Sequence, residues 1–435
     1  MAQLQTAGVE RLQRGIGIHA AIERFVPRGG RLAPFLSRIN DSTIQVTAGG
    51  SSQTISFGSG NQVVQITPQN PLPASTQLTL KVSGVKDVAG NVVPTSTTTF
   101  TTGATPDTYT PLVMSTNPPA SASNVPLNAA ISLQTNAAID PTTVNTGTFG
   151  VYDNVLAAYV SGTYSFNATG TIVYFVPSAP LATGRTYTVN FYNRGMTDLV
   201  ANLIGTCCSI NNFSFTTGVV SSTTGPQVTG VSPASGLAQV PINAQVVIQF
   251  NEPVDVQSLS QITLSAGGAP VNVSSYLTSG NQTFVMIPLG TLSPNTAYTV
   301  TIAGVTDISG IFPINPTVTS SFSTGTGVDF VTPAVTSATP ANGATGVARS
   351  STIQVQFNKQ MDPLTITNST FVVSVSGGGI VSGTVSVAAG TRSATFTPQT
   401  TLSASTVYVV QLNGGVTDLV GQGLASYQIS FTTGN

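Results

Sequence analysis

Ile353-Gln354-Val355-Gln356-Phe357 alternates apolar and polar residues one by one. With a period of two, Ile353, Val355 and Phe357 share one face of a strand and the glutamines share the other, the pattern of a half-buried antiparallel strand. Val246, Ile248 and Phe250 repeat the pattern earlier in the chain, and Tyr408, Val410 and Leu412 repeat it later. Turn-forming clusters such as Pro340-Ala341-Asn342-Gly343 and Ser376-Gly377-Gly378-Gly379 separate these runs, as turns between short strands do. Short strands at such spacing, with no helix-length pattern between them, predict an all-β chain of antiparallel two-sheet sandwiches.

The chain of 435 residues repeats itself. Phe100-Thr101-Thr102-Gly103 recurs as Phe215-Thr216-Thr217-Gly218, Phe322-Ser323-Thr324-Gly325 and Phe431-Thr432-Thr433-Gly434. The spacing of about 110 residues is that of a self-contained domain and too long for a solenoid repeat. A Pro-x-x-x-Leu corner keeps the same beat at Pro68/Leu72, Pro177/Leu181, Pro288/Leu292 and Pro398/Leu402. Leu78, Tyr187, Tyr298 and Tyr408 follow each corner, and Asp87, Asp198, Asp307 and Asp418 come next. The tyrosines fall where a Greek-key sandwich has its tyrosine corner, with the ring in the core and the hydroxyl on backbone. The expected organisation is an atypical segment 1–40, a partial unit 41–103, and complete units 104–218, 219–326 and 327–435. The segments 103–110, 218–225 and 325–332 are expected to be short linkers.

Charged residues make up 6% of the chain, against about 25% in ordinary soluble domains. No apolar run approaches the length of roughly 18–20 residues that spans a membrane as a helix. The surface is therefore expected to consist of Thr, Ser, Asn, Gln and Gly. A net charge of −1 with no basic stripe argues against a nucleic-acid partner, and weak charge repulsion favours self-association. The two cysteines are adjacent, Cys207-Cys208, and cannot staple units that lack them. Two loop thiols, a vicinal disulfide or an intermolecular one all remain open.

Segment 1–40 carries Arg11, Arg14, Arg24, Arg28, Arg31 and Arg38 and no apolar stretch of the signal-peptide kind. The first unit starts near Ile39-Asn40-Asp41-Ser42-Thr43, matching Ile366-Thr367-Asn368-Ser369-Thr370 of the fourth. The repeat pattern holds nothing that corresponds to the first two strands of a unit. Such a gap leaves an open sheet edge, filled either by residues 1–40 or by a neighbouring chain through β-augmentation. Arg14–His19, with Ile16 and Ile18, and Arg31–Ile39, with Phe35 and Ile39, are the candidate donors.

The fourth unit, with Phe357-Asn358-Lys359-Gln360-Met361-Asp362-Pro363 and Val416-Thr417-Asp418-Leu419-Val420-Gly421, resembles the bacterial Ig-like domain first associated with S-layer proteins (the SbsA-type Ig-like domain). Pro340-Ala341-Asn342-Gly343-Ala344-Thr345-Gly346-Val347 and the closing Phe-Thr-Thr-Gly belong to the same likeness, which covers 41–435. The third unit departs mildly (Phe250-Asn251-Glu252-Pro253-Val254-Asp255) and the second more (Thr135-Asn136-Ala137-Ala138-Ile139-Asp140-Pro141). The resemblance implies tandem Ig-like sandwiches acting as spacers or interaction modules of secreted and cell-surface proteins, without catalysis.

Reactive groups are sparse. His19 is the single histidine and the glutamates are Glu10, Glu23 and Glu252, so no Ser-His-Asp or Cys-His site can recur per unit. Glu252, Asp255 and Asp307 can meet at one pole of the third unit, a carboxylate set of the glycosidase type. Asp140/Asp198, Asp255/Asp307 and Asp362/Asp418 can also pair as weak calcium ligands. Against that, Asp before Pro at 140 and 362 reads as a helical N-cap, and the Thr-Asp pairs read as Asx-turns. The chain has no Trp, and its other aromatics are expected in the core. No cofactor is expected. The chain reads as a non-enzymatic extracellular structural protein: a stalk, or part of an S-layer or filament. The alternatives are an adhesin gripping glycan or protein through its loop poles, and an accessory region of a larger secreted hydrolase.

Overall fold

The computed structural model describes residues 72–435 apart from 87–90, 93, 106, 192–194, 207–211 and 279, and before them the strands Ile18–Ala21, Ile44–Thr47, Gln53–Gly58 and Val63–Pro68. Ile16, Phe35, Ile39, Asp87, Cys207 and Cys208 lie outside the described residues. The chain forms two compact units, one of Met1–Thr223 with Ile308–Ile311, the other of Thr224–Asp307 with Phe312–Asn435. Strands dominate both, and the short helices are 3-10 turns such as Pro141–Thr143, Val256–Gln261 and Pro363–Thr365.

In the second unit, the fourth repeat shows the plan. One sheet runs Val335–Thr339, Ile353–Phe357, Ser393–Pro398, Gly383–Val387; the other runs Phe371–Val375, Val407–Leu412, Tyr427–Thr432. All pairings are antiparallel. Ile353, Val355 and Phe357 turn inward as their alternation requires, onto Phe371, Val373, Phe396, Tyr408 and Phe431. The third repeat follows the same plan, with Val228–Ser232, Val246–Phe250, Thr283–Pro288 and Val273–Leu277 in one sheet. A register shift interrupts the first strand pair in each of the three complete repeats, between Val113 and Ser115, Val228 and Gly230, and Val335 and Ser337.

In the first unit, the second repeat is complete and the first repeat is shorter. Ile18–Ala21 pairs antiparallel with Val63–Pro68, Ile18 opposite Ile66 and Ala21 opposite Val63, and Gln53–Gly58 flanks the other side. That is the place Ile353–Phe357 holds beside Ser393–Pro398. Of the two ways to fill this gap, the structure contains the internal one, with Ile18–Ala21 paired to Val63–Pro68 of its own chain.

The repeated phrases meet at one pole of each sandwich. Tyr187 lies opposite Phe215, Tyr298 opposite Phe322 and Tyr408 opposite Phe431, and each pair stacks at 5.6 Å. The tyrosine hydroxyls accept from the backbone N–H of Ala182, Ser293 and Ser403 at 2.9, 2.7 and 2.8 Å, which is the predicted corner. Beside them Thr217, Thr324 and Thr433 are buried. Each hydroxyl accepts from the N–H of Arg185, Thr296 or Thr406 and donates to the carbonyl of Ala182, Ser293 or Ser403. Thr102 does the same between Thr76 and Pro73. The glycine closing the phrase binds the opposite loop, Gly434 N–H to Val347 O at 2.8 Å, and a Cβ at Gly218 would press within 3.2 Å of Asn124 O.

Thr433→Val keeps the shape and removes both hydrogen bonds, so the fourth repeat should lose about 1–3 kcal/mol in urea unfolding, the cost of stranded buried polar groups. Phe357 is 5% exposed on a central strand. Phe357→Ala should cost about 3–5 kcal/mol, whereas Gln356→Ala on the opposite face should change little; comparable losses from both would mean the strand faces the other way.

Candidate functional site

The opposite pole of each complete repeat gathers its acids. The strand that carries the alternation ends, the chain crosses to the other sheet through a 3-10 turn, and the loop after the tyrosine strand comes alongside. Backbone bridges Ile139–Asp198, Val254–Asp307 and Met361–Asp418 fix that approach. Sequence reasoning paired these acids, and the structure brings each pair together.

The first acid of each pair caps the turn. Asp140 accepts from Thr142 N–H, Asp255 from Gln257 N–H and Asp362 from Leu364 N–H, each at 2.9 Å, which satisfies a donor the short helix leaves open. The second acid organises its loop. Asp198 Oδ1 accepts from the N–H of Val200 and Asn202, and Asp418 Oδ1 from the N–H of Val420 and Gln422. These are the N-cap and Asx-turn roles that compete with calcium ligation for the same oxygens. Among the described residues no group of three or more His, Cys, Asp and Glu side chains is placed to hold a metal ion.

Burial raises the carboxyls of Asp255 and Asp362 to about 6; the N–H on each offsets this in part, and the neighbouring Asp307 or Asp418 adds to it. Asp198 is raised by burial, and Glu252 by burial and then by the charge of Asp307. The Val254–Asp307 bridge sets Asp255 beside the Asp307 loop, with Glu252 two residues before Val254.

The fourth repeat answers the same charge differently. Lys359 stands where the third has Glu252, is 7% exposed, and reaches Asp418 Oδ2 at 2.6 Å and Asp329 Oδ2 at 2.7 Å. It also donates to Val331 O. Sequence reasoning missed this triad. Its signal was the single lysine of residues 327–435, at the position of a glutamate one repeat earlier.

Comparison with known proteins follows the repeats. The bacterial Ig-like domain family matches residues 35–102, 107–217, 222–324 and 329–433. No curated protein sequence matches. Among solved structures, the N-terminal part of the bacterial S-layer protein SbsC is 14% identical, with 49% of this chain and 44% of that one covered and a TM-score of 0.21. SbsC domains 1–6 are 12% identical, with 75% and 54% covered and a TM-score of 0.21. The chicken CNTN1 FN1–FN3 domains are 12% identical, with 73% and 100% covered and a TM-score of 0.19. The chain spans about half the length of the SbsC structures it matches.

A carboxyl raised by folding binds its proton more tightly in the native state, so its contribution favours folding below the raised value and is lost as pH climbs through it. Asp255, Asp362, Asp198 and Glu252 all act in this direction. The urea unfolding free energy of the third and fourth repeats should therefore rise as pH falls from about 7 to about 5, by roughly 1 kcal/mol for each of Asp255 and Asp362. Asp255→Asn with Asp362→Asn keeps both caps and should flatten that rise. Midpoints that fall over this range would contradict the assignment.

Proposed function

We propose that this chain, which belongs to the bacterial Ig-like domain family, is a non-enzymatic structural protein of the bacterial cell surface, a tandem-domain stalk or a component of a surface assembly. The observation that carries the reading is the use of the chain's length: four family domains occupy nearly all of it. Asp255, Asp362 and Asp418 accept main-chain N–H groups at caps and turns, and Asp418 also pairs with Lys359. The charge-poor surface, 6% charged residues overall, supports close packing of copies because little repulsion opposes it.

An extracellular location and self-association belong to this proposal. Immunogold labelling of intact cells, with sedimentation of the purified chain over a concentration series, tests both. Surface label together with mass rising with concentration is expected. Label confined to the cytoplasm would refute the surface role, and a monomer at every concentration would leave a stalk and remove the assembly.

The reading calls for no metal. Chelation should leave the melting temperature of the chain unchanged, and a drop restored by calcium would reopen Asp255/Asp307 and Asp362/Asp418 as ligands. Adhesin function is the competing reading, since Tyr109 and Phe330 expose aromatic rings at 77% and 75%. Saturable binding to a glycan array that Phe330→Ser abolishes would favour it over the structural one.

A further inference from the structure

The third and fourth repeats were expected to be beads on a short linker, yet both fall within one compact unit. Their meeting place is specific. The acid-pole loop of the fourth repeat turns on Asp418, and the next residue, Leu419, is 2% exposed and belongs to the apolar core of the third repeat with Val246 and Phe284. Leu419 O accepts from Gln245 N–H at 3.0 Å. The Gln245 side chain lies over Gly421, whose φ is +82° and whose missing Cβ would come 3.1 Å from Nε2.

Two further contacts flank this plug. Gln360 Nε2 donates to Ala238 O at 3.0 Å. Leu364 packs on Gly230, where a Cβ would meet Leu364 Cδ2 at 2.3 Å. The linker itself is clamped: Asn243 Nδ2 donates to Asp329 O at 2.9 Å, and Asp329 N–H donates to Asn243 Oδ1 at 2.8 Å. The carboxylate of that same Asp329 meets Lys359, and Lys359 meets Asp418. A closed circuit therefore runs from Asn243 through the linker and the lysine to the loop that carries Leu419.

The other unit holds the same parts. Asn128 exchanges two hydrogen bonds with Ser222, each at 2.9 Å. Ile308, the residue after Asp307, is 6% exposed within the core cluster of Val125, Ile131 and Phe215. Ser309 O accepts from Ala130 N–H at 2.9 Å, and Ile308 O from Asn117 Nδ2 at 3.1 Å. Asn128 and Asn243 are equivalent, since the residue before each accepts from the leucine of the Pro-x-x-x-Leu corner: Leu127 O from Leu181 N–H, Ile242 O from Leu292 N–H. In the fourth repeat Arg349 O accepts from Leu402 N–H, and the next residue is Ser350.

We propose that the segment Pro241–Val246 is a socket built for the Asp-apolar loop of a following Ig-like repeat, and that plug, socket and clamped linker make the third and fourth repeats one cooperative unit. The socket recognises its partner by an apolar residue set directly after a buried aspartate, while its asparagine fixes the linker that delivers the loop. Ser350, at the matching place in the fourth repeat, has no carboxamide to clamp in the same way. The joint is the same whatever surface the chain stands on.

Hydrogen exchange of the full chain, read by mass spectrometry, tests the proposal because it locates each change. Leu419→Ser should speed exchange at 244–250 of the third repeat about tenfold or more, through loss of a plug from that core. Faster exchange confined to the fourth repeat would overturn the proposal. Should Leu419→Ser unfold the fourth repeat, Asn243→Ala decides the matter from the other side. That variant should speed exchange at 327–332 and 417–423, and unchanged rates there would overturn the coupling.

Discussion

A buried threonine hydroxyl closes each sandwich, and much of the architecture depends on it. Thr102, Thr217, Thr324 and Thr433 each take a backbone N–H and give to a backbone carbonyl at the turn before the tyrosine strand. A buried polar group left without a partner is expensive, so the corner holds only while the threonine is in place. The neighbouring Tyr–Phe stack supplies the apolar half of the same joint. With no disulfide in reach of most repeats and few charges to pair, this combination of core burial and main-chain satisfaction does what staples do in other small domains.

The opposite pole turns a liability into a scaffold. Buried carboxylates are costly, and each complete repeat keeps a pair of them. Their oxygens accept from main-chain N–H groups that the turns would otherwise leave open. In the fourth repeat Lys359 adds a counter-charge, although a buried ion pair by itself is weak evidence of stability. Its value lies in position: it joins the linker residue Asp329 to the loop of Asp418. The short linker expected from composition thereby gains a fixed seat.

The sandwich was legible because its causes are local. Alternation over Ile353–Phe357 needs only a period of two, and the recurring Tyr and Phe-Thr-Thr-Gly mark residues that face each other across neighbouring strands. The acid pairs were legible for the same reason, each being tied to a landmark that repeats. The joint between repeats was not. Leu419 looks like an ordinary loop leucine, and the core cluster it joins, with Val246 and Phe284, lies far off in sequence. The recurring Asn128 and Asn243, and the apolar residue after Asp198, Asp307 and Asp418, were the available clue. Read one repeat at a time, neither has a partner. The strand Ile18–Ala21 overlaps one of the two candidate donors, Arg14–His19, but its bounds were not legible because its segment does not share the repeat's pattern.

The account stands on modules that are separate in sequence and joined in energy. Native-state hydrogen exchange of the full chain across a series of low denaturant concentrations measures that directly, because amides that open in one event converge on one dependence. The protected amides of Val246–Phe250 and Ile353–Phe357 should merge onto a single isotherm with a common slope. Two isotherms of different slope and free energy, one per repeat, would show independent beads and contradict the account.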